Sequence, residues 1–244
     1  MNALSRLFVL AAVVSIPLLT TGQTTIDAIL ADPSRPQEDR DSDAGRAPAQ
    51  VIEFFGIGPG DHVADVLAGG GYYTRILVPL VGTGGRVYAG NNPFYANFFG
   101  EAFNALLAQP AFSNVVRIDG PVDELALPQD GSLDVVIISQ AYHDLVLGDE
   151  DRGEMNRRVF GSLKSGGVYG IIDHAAAAGT GTSATESLHR IDEQVIVDEV
   201  TATGFELAAE ANFLANPNDD HTVGIFDPSV SGRTDRFVLR FEKP

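Results

Sequence analysis

Cysteine is absent from all 244 residues, which excludes disulfides, a thiol nucleophile, zinc–thiolate sites and a lipid anchor attached through cysteine. Lysine stands only at Lys164 and Lys243, and the formal net charge is −17, with 33 Asp and Glu against 16 Lys and Arg. No basic strip exists to neutralise a phosphate backbone, so nucleic acid is not an expected partner. The acidity reads as solubility, in keeping with a salty medium. No internal repeat or low-complexity tract is present. The one long apolar run, Leu7 to Leu19, is too short to span a bilayer comfortably.

That run follows Arg6 and precedes the small residues Thr20-Thr21-Gly22, the pattern of a secretory leader over residues 1–22. The alternative is an uncleaved membrane anchor. With a cleaved leader the chain is expected in a bacterial periplasm or outside the cell, without stable membrane insertion. Residues 23–46 then form an N-terminal arm, its stretch from Ala31 to Arg46 too polar for a core element. Residues 47–244 are enough for a single α/β domain.

Within that domain short apolar runs alternate with helical patterns. A short helix opens at Pro48 and is ended by Gly56. Strands are expected at His62–Val66, Gly85–Ala89, Val115–Ile118, Leu133–Ser139, Gly167–Asp173, Phe205–Phe213 and Arg236–Phe241. Helices are expected at Tyr72–Leu80, Pro93–Leu107, Glu150–Leu163 and, as one long element, Thr185–Thr203. Apolar strands separated by helices imply a doubly wound, mostly parallel sheet covered on both faces. No helix separates the last two strands, so they should pair as a hairpin that leaves the seventh antiparallel.

The first strand ends on an acid and runs into glycines before a helix: Asp65-Val66-Leu67-Ala68-Gly69-Gly70-Gly71-Tyr72-Tyr73-Thr74. Such a turn lets backbone N–H groups approach a cofactor that side chains would block. With Gly58-Pro59-Gly60-Asp61, Tyr142-His143-Asp144-Leu145, Leu163 to Val168, Asp173-His174, Leu188 to Asp192, Gly204-Phe205 and the closing Arg236 to Pro244, the chain from Arg35 onward resembles a set of predicted bacterial class I S-adenosylmethionine-dependent methyltransferases with export signals.

The resemblance implies a Rossmann-like seven-stranded fold, S-adenosyl-L-methionine as cofactor and a small-molecule methyl acceptor. It also implies that Asp65, Ala68, Gly69, Gly70, Gly71 and Tyr73 form the methionine end of the cofactor site, with Asn91 at the ribose, Asp123 at the adenine and Ser139 at the end of the fourth strand. Two positions depart from the general pattern. Leu67 stands where glycine is usual, and the second strand ends Tyr88-Ala89-Gly90-Asn91 without the acid that grips the ribose hydroxyls.

Of the five histidines, His62 alone falls at the amino end of a strand; His143, His174, His189 and His221 fall on the side where ligands bind a doubly wound sheet. Each has an acid near it in sequence. His143, Asp144, Asp173, His174 and His189 are therefore the candidate catalytic residues, with His143 or His174 as a base that removes a proton from an oxygen or nitrogen nucleophile. A metal cage is the alternative, but adjacent residues of an extended segment point in opposite directions. Each His-Asp pair would then offer one ligand at most, so no metal ligand is assigned.

The expected function is O- or N-methylation of a small molecule outside the cytoplasm. Two rivals differ in class: a non-catalytic ligand-binding protein on a degenerate methyltransferase fold, and a metal-dependent enzyme of another reaction type that uses the His/Asp rim.

Overall fold

The computed structural model describes residues 25–244. The leader, residues 1–22, lies outside them. The arm is helical, with α1 (Ile26–Leu30) and α2 (Gln37–Arg46) leading into α3 (Pro48–Phe55). It is tied down by polar contacts: Arg35 donates two hydrogen bonds to Asp43, at 2.7 and 2.8 Å, and the Tyr72 hydroxyl donates to the same carboxylate at 2.6 Å. Ile29 inserts into the core, so the arm carries one apolar anchor as well.

The domain follows the expected alternation: β1 (His62–Val66), α4 (Tyr72–Val81), β2 (Arg86–Gly90), α5 (Pro93–Leu107), β3 (Val115–Arg117), β4 (Leu133–Ser139), α6 (Arg152–Ser162), β5 (Leu163–His174), α7 (Thr185–Leu188), α8 (Glu193–Thr201), β6 (Glu206–Ala211) and β7 (Arg236–Glu242). The seven strands lie in the order β3-β2-β1-β4-β5-β7-β6. β1 to β5 are parallel, while β7 runs antiparallel to both β5 and β6. The hairpin leaves β6 at the edge with the antiparallel β7 next to it. Alternate residues of β1 and β4 feed two cores: Ala64, Val136 and Ile138 pack with α6 and α8 on one face, Val63, Val135 and Ile137 with α3 and α4 on the other. Among the described residues no helix is long and apolar enough to cross a membrane.

The long helix expected over Thr185–Thr203 is two helices. His189 takes a left-handed conformation, φ 53°, and ends α7. Arg190 causes the break. It is fully buried, donates to both oxygens of Asp219 at 2.9 and 3.0 Å, and donates to the carbonyls of Ala175 and Val223. The segment is thereby drawn alongside the end of β5 as a parallel bridge, Ala175 with Ile191. Asp192 then caps α8 by accepting from Gln194 N, so it does not share a helical surface with His189.

Candidate active site

The sheet order reverses between β1 and β4, and the crevice above their carboxyl ends is where a doubly wound sheet binds ligands. A cavity of about 600 Å³ lies there, floored by the ends of β1, β4 and β5 and roofed by α5 and the loop holding Ile225 and Phe226.

Backbone forms its first wall. Leu67 leaves β1 at φ 58°, Gly69 at φ 57° and Gly71 at φ 90°. At Gly71 a Cβ would stand 2.3 Å from a Leu106 methyl, so glycine is required for α4 to start against α5. Leu67 keeps the left-handed turn despite its side chain, a conformation costing on the order of 1 kcal/mol or more, and it lines the cavity. Asn91 holds the loop: its carbonyl accepts from Gly69 N at 2.8 Å and its amide donates to Gly69 O at 2.9 Å. Both ends of that amide are committed to the loop, not turned toward a ribose.

Asp65 sits behind this wall, 3% exposed, and accepts from the Thr74 hydroxyl at 2.7 Å. Burial, with no ion-paired cation among the described residues, pushes its carboxyl up to about 6. The Ser139 and Tyr73 hydroxyls are buried and without hydrogen-bond partners among the described residues; Ser139 borders the cavity. Ala68, Gly69 and Gly70 line it, whereas Asp65, Gly71, Tyr73, Asn91 and Asp123 lie outside the lining. Asp123 lies in a short 3-10 turn, where its carboxylate accepts from Asp151 N at 3.2 Å.

Side chains form the opposite wall. His143 and Asp144 lie on a 3-10 turn, His143–Val146, not on an extended segment. Successive residues of such a turn are about 120° apart, so both can face inward, and the one-ligand-per-pair expectation does not hold for them. Asp173 accepts from both His143 N and His143 Nδ1 at 2.7 Å and from His174 N at 2.8 Å. Asp144 Oδ1 lies 3.2 Å from His143 Nε2 and 3.0 Å from His189 Nδ1, while its Oδ2 accepts from the Tyr95 hydroxyl at 2.9 Å.

Burial alone would lower the proton affinity of His143, but the carboxylates of Asp173 and Asp144 outweigh it and raise the ring to about 10. Burial would raise Asp144, yet His143, Tyr95 and His189 hold it down at about 2. His143 is thus an imidazolium with both N–H groups engaged. It cannot serve as the base expected from the sequence. His174 is the opposite case: burial, then the charge of His143, push it well below the ordinary histidine range, so it is neutral. Its Nδ1 meets Thr234 Oγ1 at 2.7 Å, and its ring borders the cavity.

All five candidate catalytic residues therefore converge, four on the cavity and Asp173 behind them. His221 does not; it pairs with Asp235 at 2.8 Å outside the lining. Among the aromatics, Tyr72, Phe94, Tyr95 and Phe98 line the cavity, while Tyr142 is buried and bonded to Glu199. Sequence reasoning missed Arg46, Phe99, Gln140 and Phe226. Arg46, at the end of α2, stacks its guanidinium 4.4 Å from the Tyr72 ring centre and is the only Arg or Lys in the lining. The Ala175–Ser183 loop is pinned by Asp192, which accepts from Gly179 N at 2.7 Å and Gly181 N at 3.2 Å.

No protein-family model and no curated protein sequence matches the chain. Solved structures do. A SAM-dependent methyltransferase from Aquifex aeolicus is 21% identical, with 89% of this chain and 97% of that one covered and a TM-score of 0.58. The [4+2]-cyclase SpnF is 17% identical over 82% and 81% of the two chains, with a TM-score of 0.57. Aeropyrum pernix fibrillarin, solved with natively bound S-adenosyl-L-methionine, is 14% identical over 82% and 76%, with a TM-score of 0.52. At such identities the likeness establishes the fold, that of the class I S-adenosylmethionine-dependent methyltransferases. That a cyclase shares it shows why chemistry must be argued from the site.

Proposed function

We propose that the protein is an S-adenosylmethionine-dependent methyltransferase acting on the hydroxyl or amine of a small, largely apolar molecule. The observation that carries this reading is the single cavity joining the backbone wall of Leu67–Gly70 to the wall of His143, Asp144, His174 and His189. A cofactor on the first wall would present its group to an acceptor on the second.

The residues present fit the methionine half of the cofactor. Arg46 offers a cation for its carboxylate, the unpartnered Ser139 hydroxyl offers a hydrogen bond, and Gly69 and Gly70 leave the backbone bare. The ribose half has no carboxylate at the end of β2 to meet it, since Asn91 is turned to the loop. When bound, the cofactor supplies an electrophilic methyl group. The protein's part is to orient the acceptor, whose proton passes to solvent, and positioning supplies most of the acceleration in such a displacement. His174, neutral and fixed by Thr234, borders the cavity and is placed to accept a hydrogen bond from the acceptor's hydroxyl or amine; burial beside the charged His143 makes it a weak base, so it orients the acceptor and does not hold its proton.

The apolar acceptor is argued from the mouth. Phe94, Phe98 and Phe226 border the cavity yet remain about half to three-quarters exposed, at 49%, 69% and 73%. Phenylalanines left in water around an opening favour a ligand that covers them. A site of action outside the cytoplasm belongs to the same proposal, supported by the leader pattern of residues 1–22 and tested by fractionating cells that express the full chain. The non-catalytic rival draws support from the committed amide of Asn91.

Titrating the protein with S-adenosylmethionine, then assaying transfer of a labelled methyl group to phenols and aryl amines, separates the two readings. The proposal expects one-to-one binding and turnover that falls at least tenfold in His174→Gln. Binding without transfer to any acceptor favours the rival, and no heat up to millimolar cofactor overturns the cofactor assignment.

A further inference from the structure

The second wall holds a group of atoms that acid–base catalysis does not need. His143 Nε2, Asp144 Oδ1 and His189 Nδ1 all lie within 4.8 Å of one another, beside the cavity. Two edges of this triangle, 3.2 and 3.0 Å, match the separation of adjacent ligands around a six-coordinate ion with bonds of about 2.1 Å, which is about 3.0 Å.

A second observation points the same way. Asp173 grips His143 through both its backbone N–H and its Nδ1, which turns Nε2 toward Asp144 and the cavity. A carboxylate on the far nitrogen of a histidine is the usual outer support of a metal ligand, fixing ring and tautomer. Asp144 is held likewise, its other oxygen accepting from Tyr95 at 2.9 Å. His189, left-handed at φ 53°, brings its Nδ1 to 3.0 Å from Asp144 Oδ1.

We propose that His143, Asp144 and His189 bind one divalent transition-metal cation on the cavity wall, with its open positions available to the oxygen of a substrate. Two imidazoles and one carboxylate suit the zinc, manganese, iron and cobalt class and suit calcium or magnesium poorly. Three protein ligands on one side leave the remaining positions open, as in catalytic rather than structural sites. The ion would replace the proton that His143 Nε2 otherwise shares with Asp144. The proposal stands apart from methyl transfer and does not depend on it.

The test is titration of tag-free protein, stripped with a chelator, with cobalt(II), followed by its visible absorption bands. One equivalent is expected to bind, with the bands of mixed nitrogen and oxygen ligands. His189→Gly keeps the left-handed backbone, so its fold is expected to survive, as circular dichroism would check; the variant should weaken binding at least tenfold, and Asp144→Asn should do the same. No saturable binding below 1 mM cobalt, or binding of equal strength in His189→Gly, overturns the site. Cobalt binding without S-adenosylmethionine binding would sink the methyl-transfer reading and leave this one; the reverse pattern would do the opposite.

Discussion

The two walls of the cavity each hide an aspartate, and the two are treated in opposite ways. Asp173, under the histidine wall, accepts three hydrogen bonds, from His143 N, His143 Nδ1 and His174 N. Asp65, under the glycine wall, has Thr74 and, among the described residues, no ion-paired cation, and burial raises its carboxyl to about 6. The first carboxylate organises structure. The second is a cost to the fold, of the kind retained at binding sites, where groups are held ready for a ligand at the expense of stability.

The contrast can be broken by mutating both. Asp173→Asn leaves His143 and His174 N without their charged acceptor and should destabilise the fold by about 3–5 kcal/mol in chemical denaturation. A loss under 1 kcal/mol would mean the histidine wall does not depend on it. On the other side the backbone, not the acid, bears the structure. Gly71→Ala drives a methyl into Leu106 at a left-handed position and should cost about 2–3 kcal/mol, seen as a fall in the denaturation midpoint.

Asp65→Asn should instead stabilise the protein at pH 7 by about 1–3 kcal/mol while weakening S-adenosylmethionine binding. Its carboxyl binds a proton more tightly folded, at about 6, than unfolded, at the ordinary 3.8. The favourable contribution is therefore full below pH 3.8 and is lost as pH rises through 6. Stability against pH should fall across that window in the wild type and lack this component in Asp65→Asn. The smallest effect is expected at Leu67. Truncating a buried leucine ordinarily costs several kcal/mol, but relief of the left-handed backbone should hold Leu67→Gly to under about 2 kcal/mol, and calorimetry should show tighter cofactor binding.

What the sequence made legible follows from the same contrast. β4 and α5 lie where the apolar run of Leu133–Ser139 and the helical pattern opening at Pro93 placed them, because periodicity and helix starts are local properties. The break at His189 was not legible. It depends on Arg190 meeting Asp219, 29 residues away, in the hairpin loop. The histidines and acids of the second wall could be gathered by asking which strand ends they follow. Their orientation could not, since it turns on the 3-10 conformation of His143–Val146. Arg46 and Phe226 reach the cavity from segments far apart in sequence, and only tertiary packing brings them there. At Asn91 the residue type suggested a ligand contact, while the structure uses its amide to brace the loop.

The most direct test of the central claim is a crystal structure with S-adenosylhomocysteine bound. The account predicts its amino-acid end against Gly69–Gly70 and Ser139, its carboxylate toward Arg46 and its sulfur facing the wall of His143, Asp144, His174 and His189. A complex with the ligand elsewhere, or a cavity that stays empty at saturating ligand, would contradict it.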